Sequence, residues 1–141
     1  MKLKQQFKAN KGSFVMYLVI TFLFPFVLFW NSEYATLPYF LLLIILSYLP
    51  FLLFAWIYFS THYSVDGTYL YYKSAFLKGK IDIQTLKSIQ TNATLWSGTK
   101  PAMAKNGIII TYGYDEIYLA PESNQELVDA LLQINPNIII K

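Results

Sequence analysis

Residues 14–30, FVMYLVITFLFPFVLFW, carry no charge over seventeen positions, and residues 39–59, YFLLLIILSYLPFLLFAWIYF, carry none over twenty-one. As helices these runs would be about 26 and about 32 Å long at 1.5 Å per residue, against a hydrocarbon core of roughly 30 Å. Apolar residues stand on every face of both, unlike the one-sided stripe of a surface helix. Pro25 and Pro50 lie inside them, a position that membrane helices tolerate. Trp30, Tyr34, Trp56 and Tyr58 fall near the ends, where aromatic rings favour the headgroup layer. The two runs therefore predict a transmembrane helical hairpin over 13–60. A cleaved leader is disfavoured, because NSEYATLP offers no small-x-small site and a second apolar run follows at once. A soluble helical core is disfavoured too, since the roughly eighty remaining residues are too few to cover both helices.

From residue 63 the pattern changes. Short runs rich in Tyr, Ile, Val and Thr are broken by Gly, Asn and Asp, which predicts strands and turns. Residues 63–65 and 69–74 flank Asp66-Gly67, a two-residue hairpin signal. Leu77, Gly79, Ile81 and Ile83 alternate with Lys78, Lys80 and Asp82, so this strand has one wet face. Residues 86–91 form another candidate strand, and 108–112 and 116–120 read as a hairpin around Gly113. The period then becomes helical. Ser123 and Glu126 have capping-box spacing, and Leu127, Ala130, Leu131 and Ile134 form a core-facing stripe. Asn135-Pro136 ends the helix. The expected fold is α+β, with about six antiparallel strands forming a bent sheet or partial barrel, closed by one C-terminal helix. The predicted organisation is a basic cytoplasmic tail over 1–12, the hairpin over 13–60 and a cytoplasmic domain over 61–141.

Charge fixes the expected orientation. Lys2, Lys4, Lys8 and Lys11 precede the first run, whereas the connector 31–38 carries only Glu33. The positive-inside rule places the N-terminus in the cytoplasm, and two crossings return the chain there near residue 60. Beyond residue 63, seven lysines balance seven carboxylates. The net charge of +3 thus belongs to the tail, and no clustered basic face for nucleic acid is expected. All eleven basic residues are lysines, so bidentate guanidinium recognition is excluded. With no cysteine and one histidine, disulfide, thiol and His-rich metal chemistry are excluded as well.

The stretch LWSGTKPAMAKNG, residues 95–107, contains the S-x-x-K pair Ser97 and Lys100. In acylating serine enzymes that spacing works across one helical turn. Gly98 and Pro101 oppose a helix here, and no S-D-N or K-T-G partner motif is present. The same residues lack the upstream glycine of a phosphate-binding loop. His62 reads as a polar residue at headgroup level, and Asp115-Glu116 as a turn. No catalytic, cofactor-binding or metal-binding residue is expected. Lys78 and Lys80 share the wet face of one strand, with Lys73 across a turn. These three, together with Trp96, Lys100 and Lys105 in the long loop, are the candidates for contact with lipid or a partner.

PAMAKNGIIITYG, followed after Tyr114 by DEIYLAPESNQELVDALLQINP, resembles a short bacterial pleckstrin-homology (PH) family called YyaB-like. The match rests on Pro101-Ala102, the apolar strand ending in Tyr112-Gly113, Ala120-Pro121 ahead of the helix and Asn135-Pro136 after it. The family often has a basic residue where this chain has Asn106-Gly107. The resemblance covers about 63–138. It implies a PH-like barrel behind membrane spans, a fold rather than an activity; the leading expectation is a non-catalytic binding or interaction module at the inner face of the cell membrane. Its expected partners are the lipid bilayer and a protein partner or a second copy, with no nucleic acid and no small-molecule substrate. A more distant resemblance, to the membrane-anchored sublancin immunity proteins, implies bacteriocin immunity as the alternative.

Overall fold

A computed structural model describes residues 4–12, 14–30 and 37–141. Lys2, Glu33 and Tyr34, which carried part of the orientation and interface argument, lie outside the described residues.

The first apolar run forms helix α1, Phe14–Phe29, and the second forms α2, Leu37–Ser60. Among the described residues, one helix is long and apolar enough to cross a membrane, and it is α2. The expectation of two full spans is corrected here: α1 has 16 residues, about 24 Å of rise, which falls short of a full hydrocarbon core. The helices pack side by side through aromatic rings. Phe14 meets Phe54 edge-on at 5.6 Å, Phe22 meets Phe51 at 5.5 Å, and Phe29 meets Phe40 at 5.1 Å. Such pairs add to the area they bury, and their order along the chain makes the helices antiparallel. No side chain of α2 is fully buried, and the apolar surface away from α1 faces outward.

The remaining elements form two four-stranded sheets and one helix. The strands are β1 Gln5–Lys8, β2 His62–Asp66, β3 Tyr69–Ser74, β4 Leu77–Asp82, β5 Leu86–Ala93, β6 Gly107–Tyr112, β7 Asp115–Leu119 and β8 Ile139–Ile140, and α3 is Asn124–Ile134. The first sheet runs β1-β2-β3-β4 and the second β7-β6-β5-β8, with only β8 parallel to its neighbour. Eight strands among the described residues correct the expected six. The two extra ones are β1, at residues expected to be tail, and the short β8.

The core lies between the sheets. Tyr63, Val65, Leu70 and Ile81 from the first sheet meet Ile89, Ile108, Ile110, Ile117 and Leu119 from the second. α3 closes it with Leu127, Val128 and Leu131. Ser123 caps α3 by accepting from the Glu126 N–H at 3.3 Å, and Asn135 ends it while its side chain donates to the Ile83 carbonyl at 3.0 Å. A 3₁₀ turn, Ile83–Thr85, links the sheets and is capped by the Asp82 carboxylate.

β1 changes the topology most. It pairs antiparallel with β2, from Gln5↔Val65 to Lys8↔His62. The whole helical hairpin is therefore inserted between two neighbouring strands, so both of its ends rise from one end of the sheet. The chain just after β1 also reaches the second sheet. Asn10 N–H donates to the Ala120 carbonyl at 2.7 Å, and Glu122 N–H to the Lys8 carbonyl at 2.9 Å. The N-terminal segment thus closes the barrel along its β7 edge and ties it to α1.

Candidate functional site

Side chains alternate across a strand, so the ladder register sorts the first sheet into rows. Phe7, Tyr63, Tyr72 and Gly79 stand opposite one another, as do Gln5, Val65, Leu70 and Ile81, and these rows face the core. The intervening rows face outward. Nearest the hairpin is the row Lys8, His62, Lys73, Lys78. The next is Gln6, Ser64, Tyr71, Lys80, and the farthest holds Asp66, Tyr69 and Asp82. At a strand spacing of about 4.8 Å, the first row is roughly 15 Å wide.

The outer face therefore carries a charge gradient. Three lysines and the histidine border the hairpin, while the two aspartates lie four residues further along β2 and β4, about 13 Å away at 3.3 Å per residue. Lys73 and Lys78 are direct ladder partners. Like charges directly opposite one another destabilise a sheet, and the sequence places them there nonetheless. Between the rows lies a hollow of about 470 Å³, lined by Lys4, His62, Ser64, Tyr71, Lys73, Lys78 and Lys80 among others. His62 Nδ1 lies 2.8 Å from the Ser60 carbonyl oxygen, which accepts from it. The Lys80 ammonium stands 4.8 Å above the Tyr69 ring.

The structure brings Lys73, Lys78 and Lys80 together in this hollow. Lys4 and His62 also line it, and Lys8 extends the same row as the ladder partner of His62; Lys8 was missed because β1 carries a single apolar residue, Phe7, in Gln5–Lys8. Trp96, Lys100 and Lys105 stand elsewhere, on the loop 94–106 beside the second sheet. Trp96 is 83% exposed, Lys105 is exposed, and Lys100 places its ammonium 5.1 Å above the Tyr118 ring.

The loop is exposed over 96–99 and at Lys105 and Asn106, but its middle is pinned to the protein. Pro101 and Ala104 are buried. The Tyr63 hydroxyl donates to the Pro101 carbonyl at 2.7 Å and accepts from the Ala120 N–H at 3.2 Å. The Tyr118 hydroxyl donates to the Ala104 carbonyl at 2.7 Å and accepts from the Gly107 N–H at 3.0 Å. Two buried tyrosines, one from each sheet, thus staple the loop down. Burial pushes the Tyr63 phenol well above its ordinary value. Ser97 and Lys100 lie in non-helical backbone, so they lack the one-turn geometry that S-x-x-K acylation requires.

A family model described as bacterial PH domain matches residues 61–135, just over half of the chain. No match was found among curated proteins or among solved structures. The matched stretch begins at the end of α2, so β1, which completes the first sheet, lies outside it.

Proposed function

The chain belongs to the bacterial PH domain family, and we propose that it is a membrane-anchored, non-catalytic member whose first sheet binds anionic lipid headgroups at the inner face of the cell membrane. In this reading α2 crosses the bilayer. α1 is carried in with it, because rings pair the two helices from Phe14–Phe54 to Phe29–Phe40. The mismatch left by the shorter α1 costs fractions of a kcal/mol per Å and is absorbed by local thinning of the bilayer. Both termini are cytoplasmic, as the lysines ahead of α1 favour. The finer grouping within the family is the YyaB-like one.

The observation that carries the proposal is the row Lys8, His62, Lys73, Lys78 at the sheet end from which the hairpin rises. Each lysine near an anionic surface contributes about 1 kcal/mol. Three give about 3 kcal/mol, enough to orient a tethered domain although far less than the anchor itself supplies. The acids sit at the opposite end of the same face, where repulsion from the bilayer is weakest.

Lysine acylation footprinting of the full chain in nanodiscs tests this. Lys73 and Lys78 should be acylated several-fold more slowly in anionic than in zwitterionic discs, and Lys105 equally in both. Equal rates at Lys73 and Lys78 in the two discs would reject lipid recognition. Topology is read separately. The chain has no cysteine, so S32C should label from outside intact cells and Q133C only after permeabilisation. Labelling of both from outside would reject the orientation.

A further inference from the structure

The turn between β3 and β4 reads Lys73-Ser-Ala-Phe-Leu-Lys78. It is an apolar tip framed by two lysines that are direct ladder partners. Phe76 is 69% exposed. A single exposed phenylalanine would ordinarily need no explanation, but this one is fixed against the hairpin. Its ring centroid lies 6.5 Å from that of Trp56 on α2. The turn is bolted to the helix end by side chains. Ala75 N–H donates to the Ser60 hydroxyl at 2.6 Å, and the Thr61 and Ser74 hydroxyls lie 2.8 Å apart. Ala75 holds a left-handed φ of 48°, a strained conformation for a residue with a Cβ, and this projects the tip alongside the helix.

Depth follows from length. α2 has 24 residues, about 36 Å at 1.5 Å each, which exceeds a core of roughly 30 Å by about one helical turn. Trp56 lies four residues before the helix end, so it falls at the boundary between hydrocarbon and headgroups, where tryptophan is favoured. Phe76, in ring contact with it, falls at the same level. Trp56 and Phe59, on the last turn of α2, are 52% and 79% exposed.

We propose that the β3–β4 turn is a membrane-inserting tip: Phe76 enters the interfacial layer of the bilayer beside α2 while Lys73 and Lys78 meet lipid phosphates on either side of it. The proposal rests on the anchored reading above and adds a second point of membrane contact. The two helix ends emerge side by side from one end of the first sheet and would leave the domain free to tip about that line. A second apolar foothold fixes its tilt and holds the cationic row at phosphate depth.

The full chain carrying W30F/W56F/W96F/F76W, reconstituted in vesicles, places one fluorophore at the tip. Its emission should be blue-shifted, quenched by lipids brominated high on the acyl chain and shielded from aqueous iodide. A parallel chain carrying W30F/W56F/W96F/Y69W, at the far row of the same sheet, should be quenched by iodide and not by bromolipid. Iodide quenching of the F76W reporter without bromolipid quenching would overturn the proposal, as would bromolipid quenching of both reporters, which means the whole face lies flat. Flotation with the vesicles is scored first. A chain that does not float overturns the anchored reading, whereas a floated chain with a water-exposed tip overturns only the inserted turn. Quenching at the tip in purely zwitterionic vesicles supports insertion even where lysine protection is absent.

Discussion

The two sheets have the same strand number but opposite outer faces. Outward from the first sheet stand lysines, a histidine and hydroxyls, with a hollow of about 470 Å³ left open among them. Outward from the second stands Tyr118, fully buried, in a small cluster with Ala104 and Ala120 against Leu95, Ala102 and Ile109. The loop 94–106 covers that cluster. An antiparallel sheet can leave one face in water when the face is polar, and the first sheet does so. The second carries apolar side chains on both faces and uses its longest loop as a third layer. Among the described residues, the contrast shows which outer face is left uncovered. The loop that looked most like a site is spent on burial, whereas the plain alternating strand beside it keeps its polar face open.

The sharpest way to break this contrast is to lift the loop from the second sheet. A Cβ at Gly107 would collide with the Leu119 carbonyl, the Ala120 Cα and the Tyr118 ring. Two of these are backbone and cannot move aside. Gly107→Val should therefore destabilise the domain by about 3 kcal/mol or more, seen as a lower unfolding midpoint in detergent. A midpoint within a degree of wild type would mean that the loop is not clamped as described.

A smaller effect comes from the staple itself. Tyr63→Phe removes the hydroxyl between Pro101 and Ala120 and leaves a buried carbonyl and N–H without it, at a cost of about 1–3 kcal/mol. The same residue gives a pH dependence of known sign. Burial raises the folded-state pKa of Tyr63 above the ordinary 10.0. Below pH 10 neither state loses the proton and this group adds no slope. Above it the unfolded chain releases a proton that the folded chain retains, so stability falls as pH rises. Thermal melts from pH 9 upward should show that fall in wild type and a shallower one in Tyr63→Phe. Parallel slopes would assign the alkaline loss to other groups.

How much of this was legible depends on how local the signal is. β3, over 69–74, and the cap at Ser123 follow from patterns a few residues wide, and both stand where those patterns put them. The outward lysines at 73, 78 and 80 were legible for the same reason, because period-2 alternation fixes the face. β1 was not legible. Gln5–Lys8 is short and mostly polar, and its partner β2 lies beyond the entire hairpin. Nothing within four residues distinguishes such a strand from a tail. Lys8 consequently could not be placed beside His62, and the cationic row existed only in pieces. The loop erred in the opposite direction. Its Gly, Pro and Asn mark irregular backbone correctly, but irregular does not mean exposed, and the hydroxyls that bury it belong to Tyr63 and Tyr118, 38 and 14 residues from their acceptors.

The smallest expected effect on stability comes from the face proposed to meet lipid. Lys8, Lys73 and Lys78 are exposed, and surface substitutions of this kind stay within about 0.5 kcal/mol. K8S/K73S/K78S should therefore leave the unfolding midpoint almost unchanged, with a slight increase from relief of the opposed Lys73–Lys78 charges. On the membrane the same variant should lose up to about 3 kcal/mol of attraction to anionic lipid, read as anionic phospholipid no longer retained by the purified chain. A midpoint as low as that of Gly107→Val would show that these lysines hold the fold together. Unchanged lipid retention would show that the open face is merely solvated. A stable protein that has lost its lipid is the one combination expected if burial has been assigned to the second sheet and binding to the first.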